Sequence, residues 1–165
     1  MSATVASAAA NTLPGDTLPG DALPNWLCQQ WVLGTLPWAE AIPYSEFCDR
    51  YTLCDSQWLG LFQQTDSAVA CIRWDLLWLP DALFNQVDQA DAVYVFLKFD
   101  QVLGLAVTNG SESPETPTIV QVELEPVDDQ QVLLLEESGG RSTTVVFAGA
   151  ASCVAIAAHN QIIQL

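Results

Sequence analysis

One histidine, five cysteines and twenty aspartate or glutamate residues are the groups in this chain that could do chemistry. His159 is the side chain suited to general-base work near neutral pH, so a Ser-His-Asp or Cys-His device must be built around it. Cys153 lies six positions upstream. On a shared strand that spacing exceeds hydrogen-bond reach. His159-Asn160 therefore reads as a solvated turn. Cys28, Cys48, Cys54, Cys71 and Cys153 are odd in number and contain no C-x2-C pair, so neither a zinc ribbon nor a thioredoxin-like redox site is signalled. They read as small hydrophobes of a reduced, cytoplasmic protein.

Carboxylates could instead serve metal or glycosidase chemistry. Asn85, Asp88 and Asp91 recur every third position, which would align their oxygens on one helical face. A calcium loop needs denser ligands around a central glycine, so these residues read as a solvated face. Asp128-Asp129 and Glu136-Glu137 are adjacent pairs. Neighbours on a strand point to opposite faces, so they make no acid-base pair by themselves. A glycosidase pair assembled from distant positions stays open. G-x-S-x-G, G-x-x-x-x-G-K-[ST], G-x-G-x-x-G and H-E-x-x-H are all absent, and with them the usual sequence support for nucleophilic, nucleotide or zinc hydrolase chemistry. No catalytic residue, cofactor site or metal site is assigned.

Charge points toward binding. Twenty acids face only Arg50, Arg73, Lys98 and Arg141, for a net charge of −16 with just 15% charged residues. The imbalance comes from missing bases, since charged residues make up roughly 25% of typical proteins. A phosphate backbone needs Lys and Arg to release counterions, so nucleic acid is excluded as a partner. Anionic membrane surfaces are disfavoured for the same reason. A basic protein surface would be attracted, in a salt-sensitive way. Between Lys98 and Arg141 there are nine acids and no base. Glu123, Glu125, Asp128, Asp129, Glu136 and Glu137 are the partner-binding candidates, Glu123 and Glu125 sharing one strand face that cross-strand neighbours could extend into an acidic stripe. The plainer reading is that outward strand positions need polar residues and carboxylates blunt edge pairing.

Aromatic residues suggest an alternative. All six tryptophans fall within residues 26–78. Most tryptophans serve as core, but Trp38, Trp74 and Trp78 are candidates to line an apolar pocket or interface.

These groups must be carried by a chain of two characters. Residues 25–33 and 45–54 pattern as short helices, the first with Asn25 as cap and the second with Phe47, Tyr51 and Cys54 on one face. QWLGLFQ (57–63) and AVACIRW (68–74) read as a hairpin around QTDS, and residues 81–89 as a short helix begun by Pro80. From residue 92 onward seven β-rich runs follow. AVYVFLKF and VLGLAVT are separated by Asp100-Gln101, a length that suits a hairpin although the residues are not the favoured ones. TIVQVELE alternates, with Val120, Val122 and Leu124 expected inward and Gln121, Glu123 and Glu125 outward. The connections are too short for parallel crossovers.

The fold expected is α+β: short N-terminal helices packed on a mostly antiparallel β-meander, a sandwich or partly open barrel. Before it, TLPGDTLPGDALP repeats proline with turn-forming Gly and Asp, which fits neither helix nor central strand and reads as a flexible leash over 1–24. MSATVASAAAN lacks the basic and apolar regions of a secretory signal. Residues 25–165 then form a single globular domain, with a Trp/Cys-rich part at 25–90 and a β part at 91–165. No apolar run reaches the roughly 18 residues of a membrane span, so no insertion is expected. The functional expectation is an acidic, non-catalytic interaction module (adaptor, chaperone-like factor or inhibitor) for a basic protein surface. The alternatives are a small-molecule-binding domain with an aromatic-lined apolar pocket and, third, an enzyme without recognisable motifs.

Overall fold

A computed structural model describes residues 36–64, 66–75, 83, 92–110, 117–157 and 161–165. The helices expected at 25–33 and 81–89 and the leash at 1–24 lie outside the described residues, apart from Leu83. Two antiparallel sheets dominate. Sheet A has the order β1(Ile42–Pro43), β9(Ala151–Ala157), β4(Val93–Phe99), β3(Ser67–Arg73), β2(Gln57–Gln64), with β10(Gln161–Ile163) also pairing β9. Sheet B has the order β5(Val102–Thr108), β8(Ser142–Phe147), β7(Gln130–Glu137), β6(Ile119–Val127). All seven runs expected after residue 92 are strands. The protein is thus a β-sandwich, and α+β overstates its helices. Leu83 is helical, and the α-helix whose bounds fall within the described residues is α1(Tyr44–Arg50). Its seven residues make about two turns, too few to hold together in water without the tertiary contacts of Tyr44 and Phe47.

The burial of each sheet follows from its sequence. Val93–Phe99 is apolar at every position but Lys98 and is buried almost throughout, as a strand covered on both faces must be. One face of sheet A meets sheet B across the main core, where Leu61, Ile72, Val95 and Leu97 oppose Leu133, Leu135 and Val145. Its other face carries a second cluster of Phe62, Cys71, Tyr94, Phe96, Val154 and Ile156, against which Trp38 packs. Strands β5 to β8 alternate instead, because among the described residues only one face of sheet B is covered. The tryptophan-rich and β-rich parts of the chain are not separate layers, since β3 pairs β4 from Ala68 to Arg73.

Asp100-Gln101 does not close a hairpin. β4 pairs β9 and β3, while β5 pairs β8. The chain turns a corner from sheet A to sheet B at Asp100-Gln101 and returns at 148–150, so that β4–β5 and β8–β9 form one bent ribbon. Asp100 N–H donates to Ala150 O (2.9 Å), Ala148 N–H to Gln101 O (2.9 Å) and Gly149 N–H to Asp100 O (3.0 Å), carrying the ladder through the bend. A two-residue hairpin wants Asn-Gly or Asp-Gly. Asp100-Gln101 supplies one left-handed residue, Gln101 at φ 55°, and the runs on either side pair with strands of different sheets while sharing one core. A Cβ on Gly149 would lie 2.8 Å from the carbonyl oxygen of Asp100 and 2.9 Å from its carbonyl carbon. Gly149→Ala is expected to lower stability by about 2–3 kcal/mol, an overpacking cost that backbone must absorb. Urea unfolding checks this, and an unchanged midpoint would refute the close approach.

On the far side, Asp55 N–H donates to Ile119 O (2.9 Å) and Ile119 N–H to Ser56 O (2.7 Å), tying the segment before β2 to the start of β6. Just beyond that tie β6 carries a bulge: Ile119 faces Glu137 and Gln121 faces Glu136. The extra residue, Val120, is 58% exposed rather than inward as the alternation predicted. A bulge shifts the side-chain parity by one, so Ile119 takes the buried place.

Candidate functional site

The register of sheet B decides what its uncovered face presents. Glu123 stands opposite Leu134 and Glu125 opposite Val132, and across the next ladder Leu134 meets Thr144 and Val132 meets Val146. Residues directly opposite share a face, so the outer surface is an apolar floor of Val132, Leu134 and Val146 bordered on β6 by two carboxylates. Glu123, Glu125, Val132, Leu134 and Thr144 line a shallow groove of about 170 Å³. Glu136, also exposed, extends the acidic border opposite Gln121. Asp128 and Asp129 form the exposed two-residue tip of the β6–β7 hairpin, with Asp128 at φ 56°. Aspartate tolerates that left-handed conformation better than most residues.

The expected acidic stripe is therefore an edge rather than a sheet-wide band, because the cross-strand neighbours of the glutamates are apolar. Repulsion between the acids is limited for the same reason. Glu123 accepts a hydrogen bond from Gln121 Nε2, and among the described residues none of these five exposed acids has an ion-pair partner. The chain's four cations are elsewhere. Arg50 pairs Glu46 at 3.0 Å, Lys98 lies 3.8 Å from Asp100 and 5.5 Å from the Trp38 ring, Arg141 reaches Glu137 at 3.7 Å, and Arg73 ends β3 in sheet A.

Glu137 does not join this surface. It shares strand parity with Leu133 and Leu135, and its side chain is fully buried. The hydroxyl of Thr143, buried on β8 opposite Leu135, and both Glu137 carboxylate oxygens make no hydrogen bond among the described residues. Burial pushes the Glu137 carboxyl up to about 7 and draws the Arg141 guanidinium below its ordinary value. The signal in sequence was the adjacent pair itself, which must split across the two faces. The run Val132–Leu135 is apolar at every position, so it did not say which member turns inward.

Of the candidate tryptophans, the two that are described, Trp38 and Trp74, do not share a pocket. Trp38 packs on the outer face of sheet A, Trp74 lies in the core between the sheets, and Trp78 is outside the described residues. Trp74 packs tilted against Phe47 at 5.3 Å and edge-on to Tyr51 at 5.5 Å, and its Nε1 donates to Thr52 O at 2.9 Å, the paired polar tip a buried indole requires. It also borders a cavity of about 390 Å³ whose other walls include Asp55, Gln57, Arg73, Asp75 and Thr118. Those five are polar, and among the described residues Trp74 is the one aromatic in the lining, with Ala92 beside it. Cys71 and Cys153 are buried, and burial raises the Cys153 thiol well above its ordinary value, so it stays protonated. Cys48 is exposed and Cys54 half-buried, whereas Cys28 and His159 lie outside the described residues.

Among the described residues no helix is long and apolar enough to cross a membrane, and no group of three His, Cys, Asp or Glu side chains is placed to hold a metal ion. Comparison with known proteins finds no matching family model, curated protein or solved structure.

Proposed function

We propose that this protein is an acidic interaction module whose uncovered sheet B face docks a basic protein surface. The observation that carries the reading is the pairing of apolar floor and acidic border: Val132 and Leu134 lie directly across the ladder from Glu125 and Glu123. Apolar area at the centre supplies affinity, and a charged rim supplies orientation and encounter rate. Leu103, Val120 and Val127, the exposed large hydrophobics among the described residues, all lie on the edge strands of this same sheet. No lysine or arginine interrupts the face, so nothing on it repels a cationic partner. An adaptor, an inhibitor and a chaperone-like factor all need such a surface and no catalytic group.

The test is a charge reversal, Glu123→Lys with Glu125→Lys. Both side chains are exposed and outward, so the variant should keep its thermal midpoint within a few degrees. Each exposed ion pair contributes about 0.2–1 kcal/mol, and reversal adds repulsion to the loss. Affinity for a lysine-rich partner at low salt should fall roughly 10- to 30-fold. Raising the salt should narrow the gap between parent and variant, because exposed charges are screened within about 8–10 Å at physiological ionic strength. Titration calorimetry at two salt concentrations reads both effects. Equal affinity of parent and variant at low salt would end the proposal.

A further inference from the structure

Among the described residues sheet B ends at β6, so one edge of the sheet is open as well as its face. Val127 and Gln130 close the β6–β7 hairpin around Asp128-Asp129. The closing pair of a two-residue loop exchanges its backbone hydrogen bonds, and such pairs recur at every second residue. Glu125 and Glu123 therefore direct N–H and C=O toward β7. Val122, Leu124 and Pro126 direct theirs away from the sheet. Proline provides an independent check on this phase. Pro126 is paired within β6, and a residue without an N–H fits a strand only where that position faces outward. β6 is the terminal strand of sheet B, and the tie to Asp55 and Ser56 stops at Ile119. Among the described residues the edge from Val122 to Pro126 carries no further strand.

Side chains along this edge specify what would pair with it. Val122 and Leu124 face the core but are only half-buried, while Glu123 and Glu125 project outward and exposed. A second copy of the chain is a poor occupant, since an antiparallel β6–β6 pair would set four glutamates on one face. We infer that β6 accepts an added strand from a basic partner, an extended segment alternating lysine or arginine with apolar residues. Its apolar side chains would continue the inward row of Val122 and Leu124, and its cations would lie beside Glu123 and Glu125. Main-chain hydrogen bonds then supply affinity and the alternating side chains supply selectivity. This rests on the basic-partner reading above and names the form of the partner.

Opposed residues in an antiparallel pair share a face, so the partner residues that exchange hydrogen bonds with Val122 and Leu124 are the inward, apolar ones. The probes are a capped peptide alternating lysine and valine, the same peptide N-methylated on its valines, and the same peptide N-methylated on its lysines. All three carry equal charge. The parent and lysine-methylated peptides should bind alike, and valine methylation should weaken binding on the order of tenfold or more as edge hydrogen bonds are lost. Hydrogen exchange should show the Val122 and Leu124 amides becoming protected only with the peptides that bind. Equal binding of all three peptides without that protection would overturn strand addition and leave face docking intact. No binding of any peptide at low salt would overturn both.

Discussion

Glu137→Gln is expected to stabilise the protein by about 2 kcal/mol at pH 8 and to leave it nearly unchanged at pH 5. The carboxyl titrates near its ordinary value of 4.5 in the unfolded chain and at about 7 in the folded one. Between these values the folded state binds more protons than the unfolded state, so stability falls as pH rises through the window. Above it the full charge-burial penalty applies. A shift of 2.5, the difference between those two values, corresponds to roughly 3 kcal/mol at 1.36 kcal/mol per unit. Arg141, at 3.7 Å and itself destabilised by burial, offsets little of it. Glutamine keeps the shape and removes the charge, at some cost for an amide with few partners. Urea unfolding of both proteins at pH 5 and pH 8 isolates this group, because the other carboxylates titrate equally in each. A difference between variant and parent that does not change with pH would refute a charged Glu137 in the core.

Phe147→Ala is expected to cost about 3–5 kcal/mol, the larger effect of the two. Phe147 and Phe99 are both fully buried, with ring centroids 5.2 Å apart and planes inclined by 55°. They sit at the ends of β8 and β4, where the bent ribbon leaves one sheet for the other. No small side chain can refill that space, since the backbone around it is fixed by the hydrogen bonds of Asp100, Ala148 and Gly149. A domain of this size is stable by about 5–15 kcal/mol, so the variant should unfold at a far lower denaturant concentration. Combining it with Phe99→Ala should cost less than the sum, by about 0.5–1.5 kcal/mol of ring–ring coupling. A loss below about 1 kcal/mol for Phe147→Ala would mean that the corner is not packed.

The strands of the second half were legible because their patterns are strong. QWLGLFQ with AVACIRW formed β2 and β3 as expected, whereas Asp128-Asp129, read in the sequence as an adjacent acidic pair, proved to be the turn between β6 and β7. Glu123 and Glu125 were rightly placed outward, since the clean alternation on β6 resumes after its bulge. Val120 was not, because a bulge is one extra residue with no signature of its own here. The helix read at 45–54 ends at Arg50. Its continuation gives way to Tyr51–Ser56, where Thr52 O receives the Trp74 indole N–H and Ser56 O the N–H of Ile119. Those partners come from distant parts of the chain.

The sequence by itself determined the acidic balance, the antiparallel strands and the outward carboxylates of β6, because charge and period-two alternation are local properties. Only the tertiary structure decided that β4 and β5 belong to different sheets, that Glu137 turns inward while Glu136 stays out, and that apolar residues rather than further acids face Glu123 and Glu125. Each of these depends on which strand lies alongside which. That choice is made by two hydrophobic faces finding cover, and local spacing does not record it.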